Sequence, residues 1–65
     1  MKFNEYETVK LKKIFKDYEV PIGKKGAVLM IFDGSPTEYL VEFIDSKGKT
    51  IGLITIPEEY LEKID

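Results

Sequence analysis

The sequence contains no cysteine, histidine, arginine, glutamine or tryptophan. Without cysteine or histidine, the chain has no disulfide and none of the usual ligands of a structural zinc ion. Ser-His and Cys-His nucleophilic catalysis lack their base, and thiol chemistry lacks its sulfur. Without arginine, the chain lacks the planar guanidinium group, which binds guanine bases and phosphate groups through two parallel hydrogen bonds.

These absences leave little room for an enzyme. A pair of carboxylates in a desolvated cleft could still do acid-base work, but a barrel of 65 residues has scant volume for such a cleft. We therefore expect no catalytic residues, no cofactor, no metal and no small-molecule substrate.

Length and composition predict one folded domain over residues 1–65. The chain is 43% hydrophobic with eight Phe and Tyr residues, which is typical of a globular protein rather than a disordered one. The longest apolar run, 27–32, has six residues where a membrane helix needs about twenty. No membrane association and a cytoplasmic location are expected.

The hydrophobic pattern predicts an all-β fold. Residues 7–13 alternate with period two, and three further β-rich runs are separated by turns at 33–36 and 45–49. The further strands are predicted at 26–32, 38–44 and 50–56, a helical turn at 57–61, and a short last strand at 61–64. Gly52, inside the strand at 50–56, indicates a bulge or a tight bend. With a long packed loop over 14–25, this order predicts an SH3-like five-stranded small barrel with a short 3-10 or helical turn before its last strand. The expected core residues are Val9, Leu11, Val28, Val41 and Phe43.

Four segments also resemble a known family. E-T-V-K-L at 7–11, P-I-G-K-K-G-A-V at 21–28, Y-L-V-E-F-I-D at 39–45 and K-G-K-T-I-G-L-I-T-I at 47–56 resemble the family called domain of unknown function 4926. The resemblance implies an SH3-like barrel and no known activity. It also implies gene arrangements similar to toxin-antitoxin or toxin-immunity pairs. The step Gly23-x-x-Gly26-x-Val28 resembles that of KOW modules.

Two strands look apolar on both faces. If 26–32 and 38–44 alternate without interruption, one set of side chains opposite the core forms a second apolar face that also holds a carboxylate. This candidate protein interface consists of Leu29, Ile31, Leu40, Glu42 and Ile44. It is either exposed for a partner or covered by the chain ends, through Phe3, Tyr6, Tyr60, Leu61 and Ile64. An unpaired carboxylate there is costly to bury, so Glu42 is expected to meet a lysine or arginine of this chain or of a partner.

A second candidate surface is basic. Residues 1–26 carry a net charge of +3 and residues 27–65 a net charge of −5. The candidate basic patch consists of Lys10, Lys12, Lys13, Lys16, Lys24 and Lys25, with Phe15 and Tyr18 as stacking platforms for bases. The loop Gly23-Lys24-Lys25-Gly26 could also hold an anion on its backbone N–H groups.

Three functions remain open. The first is a non-catalytic protein-interaction module, as the antitoxin or immunity half of a two-gene pair. The alternatives are a KOW-like non-specific nucleic-acid-binding module and a small self-associating structural domain. The acidic pI near 5.1 favours a protein partner, either a neighbouring gene product or a second copy, over nucleic acid.

Overall fold

The computed structural model describes residues 2–16 and 19–64, and it is all-β with one 3-10 turn. Asp17 and Tyr18 lie outside the described residues, so the predicted role of Tyr18 is not addressed by the structure. The elements are β1 (Thr8–Leu11), β2 (Lys25–Phe32), β3 (Glu38–Ile44), β4 (Thr50–Pro57), the 3-10 turn (Glu58–Tyr60) and β5 (Leu61–Lys63). The predicted elements are thus confirmed, except that β1 is shorter than the predicted 7–13.

All five strands belong to one antiparallel sheet in the order β4-β3-β2-β1-β5. Strands β2, β3 and β4 form a meander, and β1 joins β2 to β5. In the part of the chain that the structure describes, β4 and β5 are the two edges and do not pair with each other. The sheet is therefore open. No helix among these residues is long and apolar enough to cross a membrane.

One face of the sheet, which we call the inner face, carries the hydrophobic core. The five predicted core residues are all at most 2% exposed, so that prediction is confirmed. The core also takes side chains from both chain ends and from the loop after β1, since Phe3, Leu61, Phe15 and Val20 are buried in it. A small sheet needs such a cover because a single layer buries apolar surface only against other parts of the chain.

A β-bulge interrupts β2 and changes which side chains reach the core. Val28 pairs with Val41, but the next pair is Met30 with Leu40, so Leu29 is an extra residue without a partner. A one-residue shift moves every following side chain to the opposite face. Ile31 consequently pairs with the buried Tyr39 and packs against the core. The predicted placement of Ile31 on the second apolar face is wrong, because the prediction assumed uninterrupted alternation.

A second irregularity lies beside Gly52, where the sequence predicted a bulge or tight bend. The register of β3 and β4 shifts between Phe43, which pairs with Gly52, and Ile44, which pairs with Thr50. A Cβ atom at position 52 would lie 3.0 Å from Cγ2 of Val20. The glycine lets the loop after β1 pack closely on β4, and the predicted bulge is confirmed.

Candidate protein-interaction surface

The face opposite the core, the outer face, carries a group of large apolar side chains on three adjacent strands. Met30 of β2 lies opposite Leu40 of β3, and Glu42, two residues further along β3, lies opposite Leu53 of β4. Neighbouring strands hold such opposite side chains about 5 Å apart, which is contact distance for large residues. We define the outer patch by its members on three strands: Met30, Phe32, Leu40, Glu42, Ile44 and Leu53.

The patch is open to solvent. Leu53 is 59% exposed, Met30 48%, Phe32 42% and Ile44 39%. Leu40, on the central strand of the three, is half-buried. Large apolar side chains exposed singly are ordinary, but a group of them on adjacent strands is typical of an interface.

One alternative is that residues near the two chain ends cover this face. For three of those residues, this alternative is wrong. Phe3 and Leu61 belong to the inner core, and Tyr60 packs against that core. The ring of Phe3 makes an edge contact with Tyr39 at 5.2 Å, and the ring of Tyr60 makes one with Phe15 at 4.9 Å. Tyr6 is 76% exposed and covers little of any face.

Glu42 places a carboxylate inside the patch. It lies between Ala27 and Leu53 across the strands, and its carboxylate accepts a hydrogen bond from the hydroxyl of Thr50. In residues 2–16 and 19–64 the one ion pair is Lys13 with Glu59, so no lysine of this region neutralises Glu42. Within the described residues, the carboxylate of Glu42 therefore has the Thr50 hydroxyl as its polar contact and no ion pair.

The sequence-predicted interface is partly assembled by the fold. Leu40, Glu42 and Ile44 lie together on the outer face, Leu29 is the bulge residue, and Ile31 lies on the inner face. Sequence reasoning missed Met30, Phe32 and Leu53. The outward position of Leu53 could have been predicted, because Leu53 lies out of phase with Ile54 and Ile56, and these two residues are buried. The outward positions of Met30 and Phe32 could not have been predicted, because the bulge that exposes these two side chains has no clear sequence signal.

The predicted basic patch is divided by acidic groups. Lys10 and Lys25 lie directly opposite each other on β1 and β2, but Glu62 lies opposite Lys10 on its other side. Lys13 Nζ lies 3.3 Å from a carboxylate oxygen of Glu59 and 5.0 Å from the ring centre of Tyr60. Lys16 lies over the ring of Phe15.

In the loop before β2, two of the backbone N–H groups expected to hold an anion are already bonded. It borders a surface pocket of about 300 Å³ lined by Gly23, Lys24, Lys25, Ile44, Asp45 and Ser46. The Gly23 N–H donates to the Leu11 carbonyl and the Lys24 N–H to the Pro21 carbonyl, so neither is free for a ligand. The wall also contains the carboxylate of Asp45, whose pKa is lowered first by N–H donation from Lys49 and Lys47 and also by nearby Lys24.

One partly buried polar contact ties the chain ends to the sheet. The hydroxyl of Tyr39 donates to the carboxylate of Glu58, which also accepts the Lys2 N–H at 3.0 Å. These donors lower the pKa of Glu58, whereas burial and then the hydrogen bond to Glu58 raise the pKa of Tyr39. No cluster of three metal-ligating side chains occurs within the described residues. The contact holds the segment at Lys2 and the 3-10 turn against β3.

The outer patch is thus the strongest surface feature of the fold. One family model, described as "Domain of unknown function (DUF4926)", matches residues 5–63. The chain belongs to this family. The resemblance stated from the sequence is confirmed, and the match spans β1 to β5. Comparisons with curated proteins and with solved structures gave no match. Because the family description carries no activity, the function has to be argued from the surface of the molecule.

Proposed function

We propose that this protein is a non-catalytic protein-interaction module that docks a second protein on its outer patch. The observation that carries the proposal is the group of exposed apolar side chains on adjacent strands, including Met30, Leu53 and Phe32. Burying them against a partner would be favourable by about 25 cal/mol for each Å² of apolar surface removed from water.

The charges of the patch specify the partner's chemistry. Glu42 lies within the patch, and Glu38 borders it opposite Phe32. A partner surface that combines apolar side chains with a lysine or arginine would pair these carboxylates as they are desolvated. A toxin with a basic phosphate-binding surface has this chemistry. The specific form of the proposal is therefore the antitoxin or immunity half of a two-gene pair, as the family resemblance also implies.

We also propose that the fold is SH3-like in its strand order, with the sheet left open between β4 and β5. Two features support it: the sheet order β4-β3-β2-β1-β5 and the 3-10 turn immediately before the last short strand. A small curled sheet of this kind can present its outer face while both chain ends complete its core.

A KOW-like nucleic-acid-binding module is the second candidate. The cross-strand pair of Lys10 and Lys25 favours it, because two lysines side by side can follow a phosphate backbone. Glu62 beside Lys10 and Glu59 beside Lys13 weaken the local positive potential. This candidate therefore ranks below a protein partner.

The test is titration calorimetry with the purified product of the adjacent gene. We expect Met30→Asp to weaken binding roughly a hundredfold, which is the size of a hot-spot contribution. Ile22→Asp is the matched control, because it places the same charge at an apolar position that is 59% exposed in the loop before β2. Unchanged binding by Met30→Asp, with both variants folded by circular dichroism, would refute docking on the outer patch.

A further inference from the structure

The two edges of the sheet differ in how they are protected. Edge strands usually avoid pairing with other chains by being short or by carrying charged residues. Strand β5 has both protections, since it spans three residues and includes Glu62 and Lys63. Strand β4 has eight residues and no charged side chain. Its protections are the bulge beside Gly52 and Pro57 at its last position, and both lie outside the stretch 53–55.

The backbone groups that β4 presents at its open edge follow from the hydrogen-bond pattern. The Glu58 N–H donates to the Thr37 carbonyl at 3.0 Å, which makes this a hydrogen-bonded pair. Hydrogen-bonded pairs alternate with non-hydrogen-bonded pairs along an antiparallel ladder. The backbone N–H and C=O groups of Ile56 and Ile54 therefore also bond to β3. The N–H and C=O groups of Leu53 and Thr55 consequently point away from the sheet. Within the described residues, no backbone hydrogen bond from a turn or loop reaches either of them.

We propose that β4 pairs with β4 of a second copy in antiparallel orientation, so that the two sheets join into one. With the two Ile54 residues opposite each other, Leu53 of each copy lies beside Thr55 of the other, and their outward backbone groups can bond reciprocally. The uncharged strand interior puts no like charges together.

The charges at the ends of β4 favour a second copy as the occupant. Lys49 precedes the strand by one residue, and Glu59 follows two residues after it. Both are five residues from Ile54, so the antiparallel pairing brings Lys49 of each copy to the end of the other that carries Glu58 and Glu59. Glu59 already pairs with Lys13, so Lys49 would share its carboxylate, and Glu58 adds a second negative charge at that end. Parallel pairing would instead bring like ends together. Asp45 also lies in the turn before β4, but its carboxylate accepts the N–H groups of Lys47 and Lys49.

The dimer does not depend on the proposed function. It would place the two outer patches on one continuous surface, since Leu53 is both a patch residue and an edge residue. The edge would then be covered by main-chain hydrogen bonds, while the patches stay available to a partner.

Light scattering and amide hydrogen exchange over a range of protein concentrations test the proposal. We expect a dimer at high concentration, with the amides of Leu53 and Thr55 becoming protected as the dimer forms. Thr55→Pro removes an outward N–H that makes no bond to β3 and should weaken dimerisation roughly tenfold or more, whereas Thr55→Ala, which keeps the N–H, should not. Lys49→Glu should weaken the dimer, and adding Glu59→Lys should restore it.

Three results would overturn the proposal. One is a wild type that stays monomeric at millimolar concentration. Another is a dimer in which the amides of Leu53 and Thr55 exchange as in the monomer. The third is a dimer that is lost in Met30→Asp but kept in Lys49→Glu, which would place the contact on the outer patch. The charge variants and the wild-type exchange data decide the matter even if Thr55→Pro fails to fold.

Discussion

At the scale of single residues, Tyr39 links three parts of the chain. Its ring lies in the core against Phe3, and its hydroxyl both donates to Glu58 and accepts the Phe3 N–H at 3.4 Å. A buried hydroxyl needs such partners, because desolvating it without them is costly. One side chain of β3 thereby fixes the N-terminal segment and the 3-10 turn.

This contact predicts a loss of stability at both extremes of pH. The folded-state pKa of Glu58 is lowered, so its contribution is present above the unfolded value of about 4.3 and is lost as pH falls through the folded pKa. The folded-state pKa of Tyr39 is raised, so its contribution is present below about 10 and is lost as pH rises through the folded pKa.

Urea denaturation at a series of pH values measures this dependence. Tyr39→Phe should cost about 1–3 kcal/mol at neutral pH, the range for a hydrogen bond to a charged group, and should reduce the decline at both extremes. Glu58→Gln should reduce the acid decline, while Glu5→Gln, at an exposed position outside the contact, serves as the control. Parallel curves for wild type and Tyr39→Phe would contradict the assignment.

At the scale of secondary-structure elements, the bulge in β2 decides which residues face a partner. Val28, before the bulge, faces the core, and so does Ile31, after the bulge. In a regular strand, two residues three positions apart would face opposite sides of the sheet. Bulges also bend a strand and increase its twist, which helps a small sheet to curl around its core.

The bulge predicts opposite outcomes for neighbouring substitutions. Ile31→Asp should destabilise the monomer by about 2 kcal/mol or more, because it puts a charge against the core. Met30→Asp should change the free energy of unfolding by less than about 1 kcal/mol, because its side chain is 48% exposed on the outer face. Thermal unfolding followed by circular dichroism checks both. A stable Ile31→Asp together with an unfolded Met30→Asp would mean that β2 alternates without a bulge.

At the scale of the whole molecule, the fold mixes charges that the sequence keeps apart. The basic N-terminal part and the acidic C-terminal part meet where β1 pairs with β5 and where Lys13 reaches Glu59. Salt screens such exposed pairs, and each contributes little to stability. Their larger effect is to weaken the local positive potential around Lys10 and Lys13, whereas binding to nucleic acid depends on a clustered basic surface.

We therefore predict no sequence-specific nucleic-acid binding and at most micromolar, strongly salt-dependent non-specific binding through the Lys10 to Lys25 region. Fluorescence titration with a labelled duplex at about 50 and 150 mM salt measures this. Glu59→Gln and Glu62→Gln should strengthen the residual binding, because each removes a negative charge from the patch. Nanomolar affinity at the higher salt, lost when Lys10 and Lys25 are neutralised, would instead favour the KOW-like function.

Local sequence patterns are sufficient to predict the strands, the turns and the five central core residues. These depend on local chemistry: period-two alternation in β1 and β3, turn residues such as Asp45 and Gly48, and β-branched residues in β4. The same alternation correctly assigned Leu40, Glu42 and Ile44 to the outer face.

The composition of the outer patch, the cover of the core and the edge position of β4 depend on contacts between distant parts of the chain. Hydrogen-bond register is a property of two strands together, so the sequence of β2 alone does not reveal its bulge. The bulge places Ile31 on the inner face and Met30 on the outer face. The packing of Phe3 and Leu61 into the core joins residues far apart in the chain. The open edge of β4 follows from the strand order, which depends on how all five strands pair.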